Sequence, residues 1–245
     1  ADSKSAKSEC DKLNESFFHF ITCRTPYVVM KYAMTLDGKI ATYTGKSQWI
    51  TGPAARRRVH EDRHRYSAVM VGIGTVLKDD PMLTCRLEKK RNPLRIICDS
   101  NLRTPLDSKI VTTAAGVPTL IVTAIDDSGL HQPYVAAGCE IMVLPSKNDQ
   151  IDLVCLMKRL GEKLIDSLYI EGGAELNWSA LQAGIVNKIQ AYISPKLFGG
   201  NGKTPIGGNG VEHPENAFSL SSPVVTQLED DFLFESEVLG CLQDL

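Results

Sequence analysis

Short apolar runs alternate with amphipathic segments along most of this chain. Seven runs are rich in apolar or β-branched residues and are bounded by Gly, Pro, Asp or Asn, a pattern that predicts β-strands. The predicted strands are residues 27–34, 67–77, 94–100, 119–124, 139–145, 167–173 and 188–198. Because such continuous apolar runs are typical of strands covered on both faces, they indicate a mainly parallel sheet.

The segments between these runs have the periodicity of helices. Residues 53–66, 151–164 and 174–184 predict helices, and residues 13–24 predict a short amphipathic helix before the first strand. Residues 224–238 alternate between apolar and polar side chains, which predicts one or two antiparallel edge strands. The expected fold is therefore α/β and three-layered, with a mainly parallel central sheet and antiparallel C-terminal strands.

Composition and charge narrow the class of protein. The 245 residues are 43% hydrophobic and 23% charged with a formal net charge of -2, so nothing attracts the chain generally to nucleic acid or anionic membranes. No stretch is long and apolar enough to predict a membrane span. The seven cysteines form no CxxC pair and share no zinc-ligand spacing with the histidines. We therefore expect reduced thiols, a cytoplasmic location and no metal.

The chain shows no composition shift that would divide it into two folded domains. We expect a tail and lead-in helix over residues 1–24 and one folded domain over residues 25–245. Residues 199–217 form a long loop rich in Gly, Asn and Pro. A loop of this length in a compact domain is usually functional or mobile.

Glycine and polar residues follow several predicted strands, at the edge where α/β sheets bind ligands. The sequence EGGAE at 171–175 lies between a strand and a helix, and it predicts either a phosphate site or only a tight turn. The sequence GIGT at 72–75 resembles the start of a dinucleotide fingerprint. However, Leu77 stands where that fingerprint has its third glycine, so this signal is weak.

The helix over residues 53–66 is unusually basic. Arg56, His60 and Arg63 share one of its faces by their spacing. That face is a solvated basic surface, a source of phosphate contacts, or a nucleic-acid-binding surface. Trp49, just before the helix, is either a core residue or a wall against a flat ring.

The first predicted strand carries a cation. Lys31 stands inside the run YVVMKYAM. We favour a functional role for it, as a contact to a substrate or as a proton donor. The less favoured interpretation is an edge-strand lysine whose ammonium extends to solvent. The strand ends at Asp37 and Gly38, for which we favour the role of a turn over that of a carboxylate paired with Lys31.

Five motifs in order resemble the reductase domain of the bifunctional deaminase–reductase of riboflavin biosynthesis. They are PYVVMKYAMTLDGKIA, SQWITGPAAR, VGIGTVLKDDPMLTCR, RIICDS and YIEGGAELNWSAL, within a similarity that runs from about residue 13 to the C-terminus. The resemblance implies a dihydrofolate-reductase-like fold, NADPH as cofactor and a homodimer. It also implies reduction of the ribosyl side chain of 5-amino-6-(5-phosphoribosylamino)uracil to the ribityl form, with hydride delivered to C1′.

The resemblance also implies which residues form the site, and residues 25–245 would be the reductase domain. NADPH would contact Ala33, Trp49, Thr75, Asp79, Ser100 and the turn made of Gly172, Gly173, Ala174, Glu175, Leu176, Asn177, Trp178 and Ser179. The phosphorylated pyrimidine substrate would contact Ser47, Arg63, Leu83, Arg86 and Glu171. Lys31 and Glu171 are the expected catalytic residues, and Ser100 and Arg103 are candidates for a cofactor 2′-phosphate.

One departure from the bifunctional pattern affects the expected activity. The zinc deaminase pattern is an HxE motif followed by PCxxC. PCxxC does not occur in this sequence, and the HxE triplet at 213–215 has no such motif after it, so deamination is not expected from this chain. Two other functions stay open at this point. One is a reductase of the same fold that acts on a pterin, and the other is a nucleic-acid-binding module that uses the basic helix.

Overall fold

The computed structural model describes residues 10, 13–88, 91–147 and 149–240. The strands are β1 Tyr27–Thr35, β2 Ala68–Gly72, β3 Leu94–Cys98, β4 Thr119–Thr123, β5 Glu140–Val143, β6 Ser146–Lys147, β7 Gln150–Ile151, β8 Ser167–Ile170, β9 Lys188–Ser194, β10 Val224–Leu228 and β11 Asp231–Glu237. The helices are α1 Glu15–Cys23, α2 Pro53–Arg65, α3 Ile73–Asp79, α4 Lys109–Thr112, α5 Ser128–Ala136, α6 Leu153–Glu162 and α7 Ala174–Gln182, with a 3₁₀ turn at Pro214–Asn216.

Nine strands form one sheet in the order β10-β11-β9-β1-β8-β2-β3-β4-β5. The pairs from β9 through to β5 are all parallel, whereas β11 pairs antiparallel with both β9 and β10. β6 and β7 form a separate small hairpin. The prediction of a mainly parallel sheet closed by antiparallel C-terminal strands is confirmed.

Two apolar cores cover the two faces of the sheet. Val28 and Met30 face the core that contains the buried sides of α6 and α7. Tyr27 and Val29 face the other core, against α2, α3, α4 and α5. Because side chains alternate along a strand, β1 is buried on both faces, which explains its continuous apolar sequence.

One predicted strand was wrong in extent, and α4, α5 and the β6–β7 hairpin were not predicted. The apolar run at 67–77 is not one strand, because the chain turns into α3 at Ile73, where Ile73 and Val76 bury one helical face. The helix α5 was not predicted, since Pro133 lies inside it. Asp127 caps its start by accepting hydrogen bonds from two backbone N–H groups. Among the described residues, no helix combines the length and apolarity needed to cross a bilayer.

Candidate functional site

A cleft of about 2250 Å³ opens at the carboxyl ends of the parallel strands. Its walls come from the ends of β1, β2, β3 and β8, from α2, and from the loops that follow these elements. The carboxyl edge of an open α/β sheet is where such folds bind ligands, because the connecting loops diverge there. The predicted gathering of polar and glycine residues at one edge therefore corresponds to one continuous cleft.

The cleft begins where β1 runs past the end of β8. β1 pairs with β8 only as far as Met30 and Ile170, although its pairing with β9 continues to Thr35. Lys31 is the first residue beyond that last pair, and it alternates onto the face that packs against α2. Lys31 can occupy this core strand because the pairing of β1 with β8 has ended at its position, and the space beside the strand opens into the cleft.

Lys31, Arg63 and Glu171 form a charged cluster at the position where β1 and β8 stop pairing. Arg63 Nε and Nη2 donate to the two carboxylate oxygens of Glu171, with a distance of 2.8 Å from Nη2 to Oε2. Arg63 Nη1 donates to the backbone oxygen of Thr84 at 3.0 Å. The side chains of Arg63 and Glu171 are 13% and 6% exposed, so this bidentate ion pair is largely shielded from water.

The neighbouring charges decide the ionisation of this cluster. Burial alone would raise the pKa of Glu171, but the charge and hydrogen bonds of Arg63, together with the charge of Lys31, hold it below its ordinary value. Burial lowers the pKa of Lys31, and Arg63 lowers it further, against the opposing charges of Glu171 and Asp62. Glu171 is thus an ionised carboxylate at neutral pH, and Lys31 gives up its proton more readily than an exposed lysine.

The glycine turn after β8, which directly follows Glu171, also lines the cleft. Gly172 and Gly173 have φ values of 106° and 92°, which only glycine adopts without strain. Gly173 precedes the first turn of α7 and has no side chain to cap its N–H groups. A Cβ on Gly173 would lie 3.5 Å from Thr75 Oγ1, so the turn approaches the start of α3 closely. The two sequence signals EGGAE and GIGT therefore lie side by side.

The segment before α2 supplies an aromatic side chain to the cleft. Trp49 is 62% exposed, and the Arg56 guanidinium lies 4.6 Å from its ring centroid. Lys196 Nζ holds the segment by donating to the backbone oxygens of Trp49 and Ile50 at 3.1 and 2.6 Å. Trp49 therefore forms part of the wall of the cleft and is not a core residue.

Most of the predicted site residues meet in this cleft, although contact with a ligand stays a prediction. The residues that line it are Lys31, Ala33, Ser47, Trp49, Arg63, Thr75, Asp79, Leu83, Arg86, Ser100, Arg103, Glu171, Gly172, Gly173, Ala174, Glu175, Leu176, Asn177 and Ser179. Trp178 does not line it. Its ring packs on Gly208, where a Cβ would lie 2.1 Å from Trp178 Cδ1, and against the ring of Phe218 at 5.9 Å between centroids.

The long loop at 199–217 is fixed against the start of α7. Gly207 N donates to the backbone oxygen of Ala174 at 2.9 Å, and Gly208 N donates to Glu175 Oε1 at 3.3 Å. Asn177 Nδ2 donates to the backbone oxygen of Pro205 at 2.9 Å. This part of the loop therefore forms a wall of the cleft, and the side chain of Glu175 is engaged by the loop.

Asp37 has the turn role favoured from the sequence. Gly38 has φ 75° and donates its N–H to the backbone oxygen of Thr35, as expected of a turn. Asp37 also accepts hydrogen bonds from the N–H groups of Phe198 and Gly199 at 3.1 and 2.7 Å. A hydrogen bond from Thr35, followed by that from Gly199, lowers the pKa of Asp37 to about 2.

Sequence reasoning missed the polar cluster beneath Lys31. Asp62 on α2 is 2% exposed and lies near the hydroxyls of Tyr169 and Tyr192 in the core between α2 and the sheet. The available signal was the position of Asp62 one turn after Arg58, which is the spacing of a helical ion pair.

The arginines of α2 are not arranged as a free basic surface. Arg57 pairs with Glu61 at 3.6 Å, Arg58 with Asp62 at 3.6 Å, and Arg63 with Glu171. Arg65 likewise pairs with Glu15, at 3.5 Å. These cations are balanced within the protein, which weakens the nucleic-acid-binding alternative.

The fold and the cleft define an α/β protein with a ligand site at the carboxyl edge of its sheet. The family model described as the RibD C-terminal domain matches residues 26–232, and the chain belongs to this family. Riboflavin biosynthesis protein RibD of Actinobacillus pleuropneumoniae is 49% identical over 237 residues, which cover 96% of this chain and 63% of that protein. The chain thus spans about three fifths of the length of such relatives.

Two further relatives extend the comparison. A protein of Methanothermobacter thermautotrophicus named 2,5-diamino-6-ribosylamino-4(3H)-pyrimidinone 5′-phosphate reductase is 37% identical, covering 88% of this chain and 99% of that protein. The crystal structure of a deaminase/5-amino-6-(5-phosphoribosylamino)uracil reductase from Thermotoga maritima aligns with a TM-score of 0.80 and 32% identity, over 95% of this chain and 62% of that one.

Proposed function

We propose that this chain is an NADPH-dependent reductase of riboflavin biosynthesis. It reduces the ribosyl side chain of 5-amino-6-(5-phosphoribosylamino)uracil to the ribityl form, with hydride delivered to C1′. Family membership supports this reading, as does the relative that is named as a reductase along its whole length. The observation that carries the proposal is one cleft that holds both the glycine turn and the Lys31, Arg63 and Glu171 cluster.

The residues of the cleft fit a dinucleotide cofactor. Gly172 and Gly173 leave the start of α7 open to an anion such as a pyrophosphate, and Thr75 stands beside them. Trp49 offers an exposed ring and Ala33 a small side chain at the strand end. The cofactor, when bound, supplies the hydride.

The cationic wall fits a phosphorylated sugar with a group to be protonated. Arg86 lines the cleft, has an exposed side chain and forms no ion pair among the described residues, so its guanidinium is available to a phosphate. Arg63, in contrast, serves to hold Glu171. Opening of the ribosyl ring breaks the bond from C1′ to the ring oxygen, which takes the proton from nitrogen and leaves a C=N bond at C1′. Reduction then places the hydride on C1′ and needs a proton on nitrogen, and the Lys31 ammonium holds such a proton within the cleft.

The two alternative functions have less support. A pterin substrate gives no reason for an exposed arginine beside the Lys31 cluster. Nucleic-acid binding needs unpaired cations on α2, where four arginines are paired with carboxylates. A cytoplasmic location, a homodimer and the lack of deaminase activity stay predictions.

The test is a steady-state assay of the purified chain that follows the loss of nicotinamide absorbance. Fresh 5-amino-6-(5-phosphoribosylamino)uracil is compared with dihydrofolate, each with NADPH and with NADH. We expect turnover with the pyrimidine and NADPH. No turnover with that substrate, or faster turnover with dihydrofolate, would reject the proposal.

A further inference from the structure

A buried carboxylate lies behind the Lys31 cluster, outside the residues assigned to the cleft. The Oδ2 atom of Asp62 lies 3.4 Å from the Tyr169 hydroxyl, 3.5 Å from the Tyr192 hydroxyl and 3.6 Å from Arg58 Nε. These three contacts are longer than good hydrogen bonds, although the group is almost fully buried. Gln190 adds a hydrogen bond to this carboxylate. An ionised carboxylate in so buried a position costs stability, and its charge acts on neighbouring groups more strongly than it would in water.

Tyr192 connects this carboxylate to the cleft. Lys31 Nζ lies 5.6 Å from the centroid of the Tyr192 ring, and the hydroxyl of the same ring is near Asp62. Tyr192 is fully buried, so the ring keeps water out of the space between the ammonium and the carboxylate. Two charges separated by a buried ring interact more strongly than the same charges in water.

The ion pairs around Lys31 leave it without a carboxylate of its own. Lys31 forms no ion pair within the described ranges. Glu171, the carboxylate with the largest effect on the pKa of Lys31, forms a bidentate ion pair with Arg63. The Arg63–Glu171 pair is neutral as a unit. Asp62 is the other carboxylate whose charge acts on Lys31.

A single arginine lies near both Asp62 and a second carboxylate. Arg58 Nε lies 3.6 Å from Asp62 Oδ2, and its Nη2 lies 4.0 Å from Glu235 Oε1. The charge of Arg58 is therefore shared between the two carboxylates. Of the two carboxylates, Asp62 is the one beside the ring on which Lys31 lies.

We propose that Asp62 is a positioning residue for the reduction: its ionised carboxylate, behind the Tyr192 ring, supplies the charge that keeps the Lys31 ammonium protonated in the cleft. The inference rests on the proposed role of Lys31 as the group that holds the proton. Without this charge, burial and the neighbouring Arg63 would leave the lysine neutral over more of the working pH range.

The groups that face Asp62 come from five elements. They are Arg58 and Arg65 of α2 with Tyr66 directly after it, Tyr169 of β8, Gln190 and Tyr192 of β9, Glu235 of β11, and Lys31 of β1. Burial raises the pKa of Asp62 to about 6, although Arg58 and Arg65 oppose this. Above that pH the carboxylate is ionised and supports the lysine, and below it the support is lost.

The experiment measures the titration of Lys31 directly and through catalysis. Lysine side chains are isotope-labelled, the Lys31 signal is assigned with Lys31→Arg, and its titration is followed by NMR in the free wild type and in Asp62→Asn. The pH profile of kcat is recorded for the same two proteins. We expect the Lys31 titration and the alkaline limb of kcat to move together to lower pH in Asp62→Asn, with kcat on that limb lower by about three- to tenfold.

Two further variants separate charge from structure. Glu235→Gln removes the second carboxylate near Arg58 and should move the Lys31 titration in the same direction by less. Asp99→Asn removes a fully buried carboxylate at the end of β3, three strands and about 14 Å from β1, and should leave the titration unchanged.

Each outcome decides the matter. An unchanged Lys31 titration in a folded Asp62→Asn variant overturns the proposal, as does a shift in Asp99→Asn of the same size. A shifted titration with an unchanged kcat profile overturns the catalytic part. A wild type with no turnover rejects the proposed function, while the NMR titration still decides whether Asp62 keeps Lys31 charged.

Discussion

Two buried arginines, Arg63 and Arg95, use the same side chain in opposite ways. Arg63 pairs with a carboxylate at the wall of the cleft. Arg95 is fully buried, and its guanidinium donates to neutral oxygens, among them Thr119 Oγ1 at 2.6 Å and the backbone oxygens of Ile110 and Val117 at 2.9 and 3.1 Å. We infer that the Arg63 cluster exists for chemistry and that Arg95 joins β3 to the segments around it.

The comparison also shows what burial does to a cation. Burial lowers the pKa of Arg95 to about 10, because its partners carry no negative charge. Burial acts on Arg63 in the same direction, but the charge and hydrogen bonds of Glu171 outweigh it and raise the pKa. A carboxylate partner keeps a buried cation charged. The carboxylate must then also be buried, and its desolvation costs stability.

The largest effect is expected on stability from Arg95→Met. The change leaves several buried oxygens without donors, so the free energy of unfolding should fall by about 3–5 kcal/mol. Urea unfolding checks this through the transition midpoint. Arg159→Met, which removes an exposed arginine paired with Glu162, is the control and should change stability by less than about 0.5 kcal/mol. Equal losses in both variants would contradict the structural role of Arg95.

The next effect is on catalysis from Lys31→Ala. Removing the ammonium should lower kcat by about 100-fold, because the group that holds the proton is lost. The Kd for NADPH should stay nearly unchanged, as should the unfolding midpoint. Single-turnover kinetics and a cofactor titration measure the two quantities separately. Turnover at the wild-type rate would remove Lys31 from the mechanism.

Asp62→Asn should change stability by less than Arg95→Met and in the opposite direction. The folded pKa of Asp62 is raised to about 6, so this group destabilises the folded state progressively as the pH rises towards 6. The variant should therefore be more stable than the wild type at pH 7, by roughly 2 kcal/mol, and equally stable near pH 3. Unfolding curves at both pH values check the sign. A variant less stable at pH 7 would mean that Asp62 stabilises the fold.

The smallest effect is expected on cofactor affinity from Trp178→Ala. The ring of Trp178 supports Gly208 and, through it, the loop that walls the cleft. Its loss should weaken NADPH binding about three- to tenfold with kcat unchanged, on the order of 1 kcal/mol. Val211→Ala, at an exposed position of the same loop, is the matched control. A large loss of kcat would instead indicate that Trp178 contacts the reacting groups.

The sequence patterns that worked were local. The apolar runs predicted the parallel sheet, and Lys31 stood out because a cation interrupts one of them. The glycines at 172 and 173 indicated the turn, since their position between a strand and a helix needs no distant information. Each of these signals lies within a few residues of its consequence.

The features that the sequence did not reveal depend on distant partners. Arg63 and Glu171 are 108 residues apart, and nothing near either one predicts that they bind each other. The basic helix and the family resemblance predicted Arg63 as a substrate contact, and neither predicted its ion pair with Glu171. Trp178 lies in the predicted cofactor segment, but helical geometry points its ring towards Gly208.

The most direct test of the central claim is the transfer of a label. NADPH deuterated at its transferable position is incubated with fresh 5-amino-6-(5-phosphoribosylamino)uracil and the wild-type chain, and the product is analysed by mass spectrometry and NMR. We predict one deuterium in the ribityl product, bound to C1′, and none in a reaction without enzyme. Deuterium at another carbon, or oxidation of the cofactor without labelled product, would contradict the account.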